Sequence, residues 1–135
     1  MNNFLLPLTL LAATTCVGLT GPTAVADEHK ADPSKKEACI KACNDCMRAC
    51  RECLIGCDCP TCKVQCLTCI ETCRTCVALL AYASPLADEM CEVCEEACEE
   101  CRDSCEKCGE IPCCKRCAEA CRKCHDACEA MGHAT

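Results

Sequence analysis

Of the 135 residues, 25 are cysteine, and their positions are periodic rather than scattered. From Cys39 the thiols continue at Cys43, Cys46, Cys50, Cys53 and Cys57, in steps that alternate between four and three residues. The rhythm returns at Cys59, Cys62, Cys66, Cys69, Cys73 and Cys76, again at Cys91, Cys94, Cys98, Cys101, Cys105 and Cys108, and again at Cys114, Cys117, Cys121, Cys124 and Cys128. Cys113 stands beside the last run, out of phase with it, and reads as a turn thiol within reach of a cluster. A thiol can be oxidised to a disulfide, bind a soft metal ion, or exchange with other disulfides. Spacing decides among these.

Cysteines four apart form nine disjoint pairs, from Cys39/Cys43 to Cys124/Cys128. On a helix such neighbours hold their Cβ atoms about 5–6 Å apart, whereas a disulfide needs about 3.5–4.5 Å. Bonding within a helix is therefore disfavoured. A metal ion inserted between two thiolates, with bonds of about 2.3 Å each, spans a sulfur separation near 4.5 Å, which side-chain rotation supplies. Thiolates select Cu(I), Zn and iron–sulfur clusters, and the latter two ask for four ligands per centre where Cu(I) accepts two or three. Two thiolates on Cu(I) leave one negative charge and four on Zn leave two, so a stack of sites in a dry interior favours the monovalent ion. At two cysteines per ion, the cysteines after Cys16 hold about 12 ions, and sharing raises that number.

This is the stoichiometry of storage, because a catalytic metal site needs few ligands and an open position. Three other readings stay open. One is a helical scaffold stapled by disulfides between helices; another is sequestration of zinc or mixed metals. A thiol–disulfide enzyme is the third, since Cys50-Arg51-Glu52-Cys53 has redox spacing but no βαβ context. No Gly-rich phosphate loop, no nucleophile with a base and no aromatic platform is found, so no enzymatic activity is expected. The net charge of −7 opposes a nucleic-acid partner.

Alternating three-and-four spacing is the heptad pattern that keeps one stripe of a helix facing a partner. Four such stripes predict an all-α fold: an antiparallel up-down-up-down four-helix bundle with a cysteine-lined core. Asp32-Pro33 caps a first helix over about 33–56, and Pro60 opens a second over 60–82. Ser84-Pro85 caps and opens a third over 85–107. The turn from Gly109 to Pro112 leads into a fourth over 112–131, which Gly132 ends. Leu80, Ala83, Ala87 and Met131 continue the stripes as thiol-free layers at one end. Ile40, Met47 and Leu54, with Leu67, Ile70, Val77 and Leu79, form either a widened core seam or the interface of a homo-oligomer. The third helix presents an acidic, solvated face from Asp88 to Glu106.

Residues 1–26 carry no charged side chain, contain the apolar run FLLPLTLLAA and close on Ala24-Val25-Ala26. This is the grammar of a signal peptide, although no basic residue stands near its start. It predicts an exported, periplasmic protein beginning near Asp27, with a flexible segment over 27–32 and the bundle over 33–132. Cys16 leaves with the signal. The apolar run is too short and interrupted to span a bilayer, so no membrane association is expected.

From about Ala38 to Met131 the repeated spacing and the exported, helix-only layout resemble the bacterial copper storage proteins. The resemblance implies a lumen whose cysteines bind many Cu(I) ions through two thiolates each, often within one helix, with His and Met at an open mouth. Carried onto this chain, Met90, Met131 and His133 near the thiol-free end are the candidates for that mouth, with His125 beside Cys124. The plainer readings are packing for the methionines, solvation in the termini for His29 and His133, and a surface position for His125. The expected partners are copper ions and the copper chaperones or copper-requiring enzymes that exchange them. Two departures stand out: the leader lacks twin arginines, and the cysteine count is unusually high.

Overall fold

The computed structural model describes residues 32–132. The leader, the segment over 27–31 and His133 lie outside the described residues. Four helices follow one another, α1 (Pro33–Gly56), α2 (Pro60–Ala81), α3 (Ala87–Lys107) and α4 (Pro112–Gly132), with no strand among the described residues.

Each boundary has a local cause. Asp32 Oδ1 accepts the Ser34 N–H at 2.9 Å, and Pro33 occupies the first turn of α1, where its missing N–H leaves no gap. Cys59 is the N-cap residue of α2 and Pro60 its first residue. At the far end of α2, Ala83 N–H donates to Leu80 O at 3.2 Å and Ser84 N–H to Leu79 O at 2.9 Å. This is a Schellman closure, with Ala83 at φ 51° in the position usually taken by glycine.

The third helix starts later than Ser84-Pro85 suggests. Ser84 Oγ accepts the Leu86 N–H at 3.3 Å and Ser84 O the Ala87 N–H at 3.0 Å, so Pro85 and Leu86 form a turn and α3 begins at Ala87. Gly132, expected just beyond α4, is its last helical residue.

Each helix packs on two neighbours, α1 on α2 and α4, and α3 on α2 and α4. The sulfur contacts give the directions. Climbing α1 through Cys39, Cys46 and Cys53 meets Cys128, Cys121 and Cys114 in descending order on α4. Across the lumen the order is parallel instead: Cys43–Cys94, Cys50–Cys101, Cys57–Cys108, Cys66–Cys117 and Cys73–Cys124 each join residues 51 apart in sequence. The α1–α2 hairpin is thus repeated by the α3–α4 hairpin, as a bundle with three short connections requires.

The interior is sulfur along most of its length. Small thiols contribute less burial per residue than leucine, and larger apolar side chains supplement them at Met47, Ile70, Leu80 and Met131. Ile40, Leu54, Val77 and Leu79 pack half-buried against this core, which favours the widened-seam reading for them, while Leu67 points outward. By length and composition α2 is apolar enough to cross a membrane. Its cysteines and Leu80, however, face the inside of the bundle.

Candidate metal centre

The bundle brings together the thiols that the spacing singles out. All 24 cysteines of the described residues are free; 22 are buried, and Cys59 and Cys108 are half-buried. Cys113, expected in a turn, is the second residue of α4, and its thiol tucks against Gly56, where an added Cβ would sit 2.8 Å from Cys113 Sγ.

Grouping across helices dominates over grouping within them. The shortest approaches, 3.5 Å, are Cys46–Cys69, Cys73–Cys94 and Cys43–Cys124, all between helices. The i,i+4 pair Cys69–Cys73 stands at 3.9 Å. Four-thiol groups with every sulfur within 4.8 Å of the others include Cys39/Cys43/Cys76/Cys128, Cys43/Cys73/Cys94/Cys124, Cys46/Cys73/Cys98/Cys124, Cys46/Cys50/Cys69/Cys121 and Cys50/Cys101/Cys117/Cys121. The second and third take one thiol from each helix. Successive groups share members: Cys43 joins the first two, Cys73 and Cys124 the next pair, Cys46 the next, and Cys50 with Cys121 the last. The result is a continuous ladder rather than a row of separate sites.

Distance alone does not choose the ion. A tetrahedral centre with bonds of about 2.3 Å has a ligand–ligand edge of about 3.8 Å, and a two-coordinate ion needs about 4.5 Å; both lie within easy side-chain rotation of the observed separations. Charge sets a condition on either ion. Ser104 is the buried polar residue among the described ones, so no lysine, arginine or histidine stands ready inside to balance excess thiolate. Four thiolates on a divalent ion leave two negative charges in that medium and two on a monovalent ion leave one, the same charge per thiolate, so a filled ladder stays dry only where thiolates are shared. Monovalent ions bridged by shared thiolates approach neutrality.

Near the α1–α2 and α3–α4 connections, burial favours the protonated form of four thiols. Burial pushes the thiol of Cys62 up to about 11 and that of Cys108 up to about 12, and raises Cys53 and Cys114 as well. Cys57 is lowered, chiefly because its sulfur accepts the Cys59 backbone N–H. Binding a soft ion therefore means displacing protons from thiols.

The other candidates sit apart from the ladder. Met131 is 2% exposed and packs in an apolar end layer with Leu80 and Ala87, and Met90 is half-buried against the same core. His125 is on the outer side, Nε2 3.5 Å from Glu95 of α3 and Nδ1 3.3 Å from Asp126. Helical spacing sets Glu129 four residues on from His125; Glu95 comes from a different helix and could not be found that way.

The family model for copper storage proteins matches residues 32–133 of the chain. Among solved structures, a match titled Cu(I)-bound copper storage protein BsCsp3 is 33% identical, with a TM-score of 0.68, and the alignment covers 73% of this chain and 98% of that one. A search of curated protein sequences finds no match.

Proposed function

The chain belongs to the copper storage protein family, and we propose that it is a reservoir that holds many Cu(I) ions on the thiolates lining its bundle. The observation that carries this reading is the ladder of shared four-thiol groups in an interior without balancing cations. Each thiol gives up a proton as it takes a share of an ion, and the helices supply a fixed, dry cage that excludes water and oxidants. Nothing in the ladder is distinguished as a reaction centre, so the protein holds and releases its cargo rather than transforming a substrate.

The methionine and histidine candidates are not needed for capacity. Copper chaperones and copper-requiring enzymes are the proposed exchange partners. Exposed Val64 and Leu67 on α2 support self-association of copies, which sedimentation of the metal-free protein tests. The uncharged apolar leader supports export to the periplasm; a mature polypeptide starting near Asp27, read by mass spectrometry of the native material, is the corresponding result.

The decisive experiment for ion identity is competition at controlled reducing potential. With thiols counted as free beforehand, equimolar Cu(I) and Zn(II) are offered to the metal-free protein. Copper displacing bound zinc from the core is expected. Zinc resisting a stoichiometric excess of Cu(I), or a purified protein with few free thiols, counts against the reservoir.

A further inference from the structure

The two ends of the bundle differ in chemistry. One end, built from the first turn of α1, the last of α2, the first of α3 and the last of α4, is sealed by apolar side chains: Met131 at 2% exposure, Leu80 at 3% and Ala87. The thioether of Met131 is inside this seal, not on an opening. The opposite end carries the connections between α1 and α2 and between α3 and α4, and there thiols continue to the surface. Cys57 follows α1, Cys59 precedes α2, Cys108 follows α3 and Cys113 lies in the first turn of α4. Cys59 and Cys108 are the half-exposed thiols of the described residues.

Three of these cysteines lead inward in steps, Cys59 adjoining Cys108 at the rim. Cys108 Sγ is 3.8 Å from Cys57 Sγ. Cys57 in turn adjoins Cys114 and Cys62. Those two thiols each approach Cys53 at 3.6 Å, and Cys105 completes the layer, 3.6 Å from Cys62. Gly56 is part of the arrangement, since any larger residue would push on Cys113 Sγ at the rim. Charges around the rim are largely paired, Lys63 with Asp58 and Lys115 with Glu110, so no strong field of either sign repels an incoming complex.

Resting on the reservoir reading, we propose that copper passes in and out through the loop end, with Cys59 and Cys108 as the acquisition ligands and Cys57 as the next step inward, while the Leu80–Met131 end stays shut. The cargo that fits is Cu(I) already held by soft donor ligands. Transfer is ligand exchange: a Cu–S bond to Cys108 or Cys59 forms as a bond from copper to its donor ligand breaks, and the proton of the incoming thiol leaves to the released donor where that is a thiolate, or to solvent where it is a neutral-nitrogen chelator such as bicinchoninate. Copper stays Cu(I) throughout and no electron changes hands. The place of the opening therefore differs from the Met90, Met131 and His133 mouth implied by the family resemblance.

Stopped-flow uptake from Cu(I) bicinchoninate by the reduced metal-free protein tests the assignment. The Cys59→Ser/Cys108→Ser variant should load at least about tenfold more slowly while its final capacity falls by no more than about two ions, because access sets exchange rates. The Met90→Leu/Met131→Leu variant, which conserves volume, should load at the native rate. Slowing in the second variant, or native-rate loading in the first, overturns the proposal. A footprint on the native chain gives an answer independent of variant folding: brief treatment with a bulky maleimide should label Cys59 and Cys108 first, and first labelling of Cys39, Cys76, Cys91 or Cys128 would place the opening at the other end. A native protein that takes up no copper at all defeats the reservoir reading instead, and the footprint still reports which end is open.

Discussion

Cys43 Sγ and Cys124 Sγ meet at 3.5 Å across two helices, closer than Cys69 and Cys73, 3.9 Å apart on neighbouring turns of one helix. Sulfur in this protein is at once the packing material between helices and the ligand set. That double role makes the metal-free fold sensitive to changes that keep size but alter polarity. Cys73→Ser replaces an apolar thiol buried among sulfurs with a hydroxyl lacking a good partner, and should cost about 1–3 kcal/mol. Cys59→Ser at the half-exposed rim should change stability by less than about 0.5 kcal/mol. Thermal melts of the two reduced, metal-free variants by circular dichroism make the comparison; equal losses would mean that the lumen is hydrated rather than dry.

The α2–α3 turn contains a residue held in the left-handed region. Ala83, at φ 51°, does the work of a C′ glycine. Relieving its Cβ clash by Ala83→Gly gains about 1–2 kcal/mol, of which about 0.4–1 kcal/mol is returned through the greater freedom of the unfolded chain. A net stabilisation of about 0.5–1 kcal/mol is expected, seen as a melting temperature several degrees higher. An unchanged or lower value would contradict the Schellman geometry.

Gly56 and Cys113 form the opposite case. A methyl at Gly56 would sit 2.8 Å from Cys113 Sγ. Ala is the better helix former by about 1 kcal/mol, but overpacking typically costs about 1–3 kcal/mol. Gly56→Ala should therefore be destabilising on balance, and adding Cys113→Ala should restore or exceed native stability. A double-mutant cycle from chemical denaturation measures the coupling; additive effects would show that the two residues do not touch.

The metal-free protein should weaken in alkali. In the folded state burial keeps the protons on Cys62 up to about 11 and on Cys108 up to about 12, whereas in the unfolded chain thiols ionise from about 8.5. Between those values the folded form binds more protons, so stability is full below about 8.5 and is lost as pH rises towards 12. Melting curves of reduced apoprotein should be level from pH 7 to 8 and fall above it, and the copper-loaded protein, its thiols already deprotonated, should show a flatter profile. Apoprotein that grows more stable with rising pH would reverse the assigned direction.

Much of this architecture is legible in the sequence because one periodic residue type marks every core stripe. The heptad steps from Cys39 to Cys128 place the four helices, and Asp32-Pro33 and Cys59-Pro60 mark two of their starts. Ser84-Pro85 misleads because the same residues that open a helix also build a turn, and only the Ser84–Leu86 and Ser84–Ala87 hydrogen bonds distinguish the two. The thiol grouping is hidden for a different reason. Spacing along one helix reveals i,i+4 neighbours, but the register between helices decides that Cys43 meets Cys94 and Cys124, and one sequence does not encode that register in any local pattern. His125 and Glu95 are obscured in the same way.

Anaerobic titration of the reduced, metal-free protein with Cu(I) against a competing chelator tests the central claim most directly. With 24 free thiols in the bundle and two or fewer per ion, about 12 or more equivalents should be withdrawn from the chelator before saturation, with a rising melting temperature as the folded state fills. Saturation at one or two equivalents, or loading that leaves the melting temperature unmoved, would contradict a copper-filled lumen.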